Sequence, residues 1–168
     1  MATLERVRAR AVSRLAVAMI VAVLSGCGFH LQGHTELPRS LALARVETKD
    51  SQTDFYATLR ASLLRAGAQP DDATKTAATI HILEDTVTEQ VLTVSARNIP
   101  TAYQLSYHIK VSVDAQGHEL LAPEEHTLTR EYSFDERAVL AKDREREALT
   151  QALADDLAAM IMRRLAAL

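Results

Sequence analysis

Ala102-Tyr103-Gln104-Leu105-Ser106-Tyr107-His108-Ile109-Lys110-Val111-Ser112-Val113 is the stretch that decides the fold. Apolar side chains stand at every odd position from Tyr103 to Val113, with small or polar ones between them. Successive side chains of a β-strand leave on opposite faces, so this run predicts one packed face and one wet face. Asp114-Ala115-Gln116-Gly117 then has the chemistry of a hairpin turn. Glu119 to Phe134 reads as the returning strand, with Leu128, Tyr132 and Phe134 inward and Arg130 as the exception.

Upstream, Ala77 to Val94 is β-branched and polar by alternation. Ile80 and Ile82 do not share parity with Val87 and Val91, which predicts a bulge or break between Glu84 and Thr88. Before it, Leu41 to Thr48 is a short strand. Phe55, Leu59 and Leu63 recur at i, i+4 and i+8, one stripe of an amphipathic helix. Asp50 or Ser51 is the expected cap, and Gly67 the left-handed terminator. Pro70-Asp71-Asp72 reads as the next turn. At the other end, Leu149, Leu153, Leu157, Met160, Ile161 and Leu165 form the stripe of a long final helix. Asp143, Glu145 and Glu147 near its start and Arg163 and Arg164 near its end suit the helix dipole.

The order is therefore β-α-β-β-β-α. The expected fold class is α+β, a two-layer sandwich with two helices packed on one face of a four-stranded mixed sheet. The other face would be polar along its best strand. Solvent explains that, and so does the hydrated lumen of an outer-membrane barrel.

The chain opens with Arg6, Arg8, Arg10 and Arg14, then the uncharged run Leu15 to Leu24, then Ser25-Gly26-Cys27. That is the form of a secretory signal ending in a lipobox. Ten apolar residues are too few to span a bilayer, for which a helix needs about 20. Residues 1–26 are expected to be removed. Residues 27–40 then form a lipid-anchored connection, and 41–168 a single domain. Cys27, the one cysteine in 168 residues, becomes the acylated anchor rather than a redox centre or metal ligand. Removing four Arg and one Glu leaves 15 basic and 21 acidic residues, a net of −6 against −3 for the whole chain. That balance argues against nucleic acid as a partner.

Catalytic motifs are missing: G-x-S-x-G, H-E-x-x-H, G-x-x-x-x-G-K-[ST] and G-x-G-x-x-G do not occur. His108, His126 and Glu131 are the residues from which a zinc site could be imagined, but their spacing gives it no support. Glu124-Glu125 and Asp155-Asp156 are adjacent pairs whose members point apart. The reading is of a non-enzyme with no cofactor and no metal. The rivals are a small-ligand binding module, marked by a closed apolar cavity, and an enzyme with a carboxylate site in a deep pocket. Arg97, Arg137 and Lys142 fall in or beside connections, where cationic groups can meet phosphate.

Cys27-Gly28-Phe29-His30-Leu31-Gln32-Gly33 resembles the start of the LptE family of lipopolysaccharide-assembly lipoproteins, which read C-G-[FW]-x-L-[RK]-G there. Gln32 departs from the basic residue of that pattern. Ala102-Tyr103-Gln104-Leu105 resembles the family's aromatic-Gln-Leu segment. Phe134-Asp135 followed by Val139-Leu140-Ala141-Lys142-Asp143-Arg144-Glu145 resembles its passage into the last helix. The resemblance implies an outer-membrane lipoprotein that plugs the β-barrel LptD, assists its assembly and helps insert lipopolysaccharide into the outer leaflet. It also implies Arg97 and Lys142 as lipopolysaccharide-binding residues, with Arg137 less securely matched. Gly28 after the anchor implies sorting to the outer membrane, on its periplasmic side.

Overall fold

A computed structural model describes residues 37–70, 78–133 and 139–168. Cys27, Gly28, the signal segment, Phe134 and Arg137 lie outside the described residues. The elements are β1 (Leu43–Thr48), α1 (Asp54–Arg65), β2 (Gln69–Pro70), β3 (Ala78–Val94), β4 (Pro100–Ala115), β5 (His118–Ser133) and α2 (Val139–Ala166), with a short 3-10 turn at Arg39–Leu41. The sheet runs β2-β1-β3-β4-β5. β1 is parallel to β2 and β3, while β3, β4 and β5 form an antiparallel meander. The expected two-layer architecture and element order are present, with β2 as an addition. It is only two residues long and sits at the sheet edge, where a proline that cannot donate is tolerated.

β4 carries the core as its alternation requires. Leu105, Tyr107, Ile109, Val111 and Val113 are each at most 1% exposed. Against them lie Phe55, Leu59 and Leu63 of α1 and Leu153, Leu157, Ile161 and Leu165 of α2. The α2 stripe differs from expectation in its C-terminal half. Met162 is buried and Met160 only partly so, and Ala154 and Ala158 are buried too. α2 packs on both the sheet and α1, so it buries a wider face than a single-sided helix would.

Thr53, not Asp50 or Ser51, caps α1, its hydroxyl accepting from the Tyr56 amide at 3.3 Å. Asp50 is engaged earlier, accepting from Gln52 N at 2.8 Å in a local Asx-type turn. At the other end Gly67 N–H reaches Leu64 O and Ala68 N–H reaches Leu63 O, a Schellman closure with Gly67 at φ 86°.

The parity break in β3 is a bulge. Ile82 pairs with Val111 and Glu84 with Lys110, so Leu83 is the extra residue, one position before the expected window. Beyond it Asp85, Val87, Glu89 and Val91 share the helix-side face with Leu105 and Tyr107. β1 ends opposite Ile82, so among the described residues β3 from Leu83 to Val94 is paired on one side only. That edge exposes Val87, Val91, Leu92 and Val94. The β5 edge, by contrast, bears Pro123 and charged residues that discourage strand addition.

Candidate functional site

At the end of the sheet where β3 stops and β4 begins, Tyr103 pairs directly with Tyr132 across β4 and β5. Their rings stack with centroids 5.5 Å apart and planes 18° from parallel. Lys142, in the first turn of α2, holds its ammonium 3.8 Å from the centre of the Tyr103 ring. The same Nζ is 3.5 Å from Glu89 Oε1. The Lys142 and Glu89 side chains are 20% and 27% exposed, so this is a largely buried group. Burial, with the Glu89 carboxylate close by, pushes the Tyr132 hydroxyl well above its ordinary range, and it stays protonated. Arg146, one turn after Lys142, acts on Tyr132 in the opposite sense.

Arg97 projects from the hairpin joining β3 to β4. That turn is closed by Ser95 N donating to Ile99 O at 2.7 Å and Asn98 N donating to Ser95 O at 2.9 Å. Asn98 takes the left-handed conformation, φ 63°, which a short amide side chain tolerates. The fold therefore puts exposed Arg97 and largely buried Lys142 at the same end of the sheet. Sequence reading alone did not reveal Glu89, Tyr103 and Tyr132 as the setting of Lys142.

The face of the sheet away from the helices is polar throughout its middle. Thr86 and Thr88 of β3 stand beside His108 and Ser106 of β4, which stand beside Thr127 and Thr129 of β5. Charged and titratable groups flank this strip, and several of them meet in pairs. Lys110 Nζ lies 2.8 Å from Glu125 Oε1, and that contact raises the lysine's pKa and lowers the carboxyl's. His108 reaches Glu84 at 3.3 Å and Thr127 at 2.9 Å. His81 sits between Glu47, at 3.3 Å, and Asp114, at 2.5 Å.

Other groupings separate. His108 leaves the polar face with Glu131, whereas His126 pairs with Ile109 on the helix side, so these histidines cannot share a metal. Glu124 turns to Arg164 at 2.8 Å while its neighbour Glu125 meets Lys110. Asp155 accepts from Thr58 and Gln151, while Asp156 meets Arg130 at 2.8 Å. This last contact explains the arginine on the inward side of β5: it is long enough to reach α2. A groove of about 60 Å³, lined by Val46, Tyr56, Arg60 and Leu63 among others, lies between β1 and α1. Small-ligand pockets usually hold about 300 Å³ or more.

Residues 40–165 match the model of the family described as LptE, Lipopolysaccharide-assembly. The LPS-assembly lipoprotein LptE of Yersinia enterocolitica is 26% identical over 153 residues, covering 90% of this chain and 73% of that protein. Its counterpart in Yersinia pestis is 27% identical over the same coverage. Among solved structures, an uncharacterized lipoprotein B from Nitrosomonas europaea superposes with a TM-score of 0.68 at 25% identity, covering 83% of this chain and 91% of that one. A minor lipoprotein from Acinetobacter baumannii gives 0.65 at 24% identity, over 77% and 94%, and speaks for the fold. With the sandwich, the element order and the family model in agreement, the chain belongs to the LptE family of lipopolysaccharide-assembly lipoproteins.

Proposed function

We propose that this chain is the outer-membrane lipoprotein subunit of the lipopolysaccharide translocon, seated inside the LptD barrel. It is held on the periplasmic side by acyl chains on Cys27, after removal of residues 1–26, with Gly28 directing it outward. The 27–40 connection links the anchor to a single domain from 41 to 168. The chain performs no chemistry; it supports barrel assembly and the passage of lipopolysaccharide.

The observation that carries this reading is the polar sheet face. Thr86, Thr88, Ser106, Thr127 and Thr129 are short hydrogen-bonding groups, and Lys110 at their margin is already paired with Glu125. The hydroxyls of such a strip can hydrogen-bond to the polar inner wall of a barrel. The one-sided edge of β3, with Val91, Leu92 and Val94 exposed, offers backbone groups to the same partner. Arg97 and Lys142 are the lipopolysaccharide-binding residues, their cations meeting lipid phosphates at one end of the sheet.

The test is isolation of the tagged full chain from outer membranes in mild detergent. The barrel is expected to accompany it, and Ser106→Trp with Lys110→Glu is expected to reduce the captured barrel severalfold. Undiminished capture by that double variant contradicts the assignment of the polar face.

A further inference from the structure

We infer that Glu89 is a built-in competitor for Lys142, an internal carboxylate that an anionic ligand must displace before it can use that lysine. The inference rests on the reading of Lys142 as a contact for lipid phosphate.

The geometry supplies the argument. Lys142 is not an arm waving in solvent. Its ammonium is held 3.5 Å from Glu89 Oε1 and 3.8 Å from the centre of the Tyr103 ring. Both contacts draw on the same positive charge that a phosphate would use, one as an ion pair and one through the aromatic face. They differ in what an incoming anion does to them. A phosphate can meet the ammonium and leave the ring contact intact, since the ring carries no net charge. It cannot do so and leave Glu89 indifferent, because two anions then share one cation and repel one another. Glu89 is also poorly placed to retreat. It lies within β3 opposite Leu105, on the helix-side face, near the buried Tyr132 hydroxyl, so a strand backbone fixes its root. The carboxylate therefore holds Lys142 in position when no ligand is present and opposes ligand binding by the strength of one partly screened ion pair. Arg97, exposed on its hairpin, has no such role imposed on it by Glu89, so the two cations differ in kind: one is displayed, the other is held in reserve.

The experiment measures binding of purified lipopolysaccharide to the full chain, its melting temperature being recorded for each variant so that a misfolded protein is recognised. Glu89→Gln keeps the size and hydrogen-bonding shape of the side chain while removing its charge. It is expected to tighten binding by about two- to fivefold, the size of one partly screened ion pair. Lys142→Gln is expected to weaken binding, and Glu89→Gln placed on Lys142→Gln to add nothing. Inorganic phosphate as competitor separates recognition of the phosphate from recognition of the acyl chains. Should Lys142→Gln weaken binding while Glu89→Gln leaves it unchanged or weaker, Glu89 positions the lysine and the inference is overturned, with Lys142 still a ligand contact. Tightening of equal size with and without Lys142 would reflect bulk charge and overturn it as well. Binding indifferent to Lys142→Gln removes both the inference and the reading beneath it. Glu89→Ala, which also removes the side chain's hydrogen-bonding groups, must agree in direction with Glu89→Gln.

Discussion

The Tyr107 hydroxyl, in the middle of β4, accepts the backbone N–H of Phe55 at 3.1 Å, joining the sheet to the first turn of α1 across 52 residues of sequence. The first amides of a helix have no partner within it, so a buried tyrosine here satisfies one of them. Thr53, the cap of the same helix, donates to Asp85 of β3 at 2.5 Å and accepts from Tyr56. Three residues far apart in the chain thereby fix where α1 begins. Tyr107→Phe leaves the Phe55 amide buried and unpaired, and is expected to cost about 1–3 kcal/mol by urea denaturation. The cost should appear without a change in the core.

Asp85 sits in that hub with its pKa raised, first by burial and then by the neighbouring Asp50 and Asp54 charges, against the opposing hydrogen bonds from Thr53 and Tyr107. The folded protein therefore holds this proton more tightly than the unfolded chain. Stability from the protonated form is fully present below the unfolded value of about 4 and falls away as pH rises through the raised folded value. Asp85→Asn removes that dependence. Plotted from about pH 4 upward, its unfolding free energy should climb more steeply than that of the wild type, or fall less. A parallel pair of curves would show that Asp85 titrates as an ordinary carboxylate.

Leu157 and Leu92 offer a contrast. Leu157 is fully buried between the layers, and Leu157→Ala should destabilise by about 2–5 kcal/mol through lost burial and the cavity left behind. Leu92 is 42% exposed on the one-sided stretch of β3, and Leu92→Thr should change stability by about 0.5 kcal/mol or less. If the exposed stretch serves a partner, the same substitution should matter for capture of the barrel while leaving the melting temperature alone.

Gly67 is required by its backbone rather than by space. Nothing lies within 4 Å of where a Cβ would stand, yet φ is 86°. Gly67→Ala should therefore cost about 1–2 kcal/mol, the penalty of the left-handed conformation for an L-residue. Calorimetric unfolding reads it directly.

Strict alternation from Tyr103 to Val113 left little doubt about β4, and the helices followed from their stripes, because both signals are local periodicities. The bulge at Leu83 is visible as a change of parity and falls one residue before the window from Glu84 to Thr88. The cap of α1 is not decided by local sequence, because Asp50, Ser51 and Thr53 are all competent by chemistry and the choice among them depends on Asp85 and Tyr107 from other strands. The site was harder still. Counting back from the Asp114–Gly117 turn would set Tyr103 opposite Arg130. Two register shifts in the β4–β5 pairing move the partner to Tyr132. Register is a property of the pair and not of either strand, so the tyrosine stack that receives Lys142 could not be read from either alone.

The most direct measurement places a photoreactive residue at Ser106 or Thr129 on the polar face, and at Arg60 on the exposed side of α1, in the full-length lipoprotein in intact cells. Irradiation is expected to join Ser106 and Thr129 to one large β-barrel protein of the outer membrane, identified by mass spectrometry. A polar face that yields no such adduct, in a chain that is acylated and correctly sorted, would contradict the seat inside a barrel on which the functional reading depends.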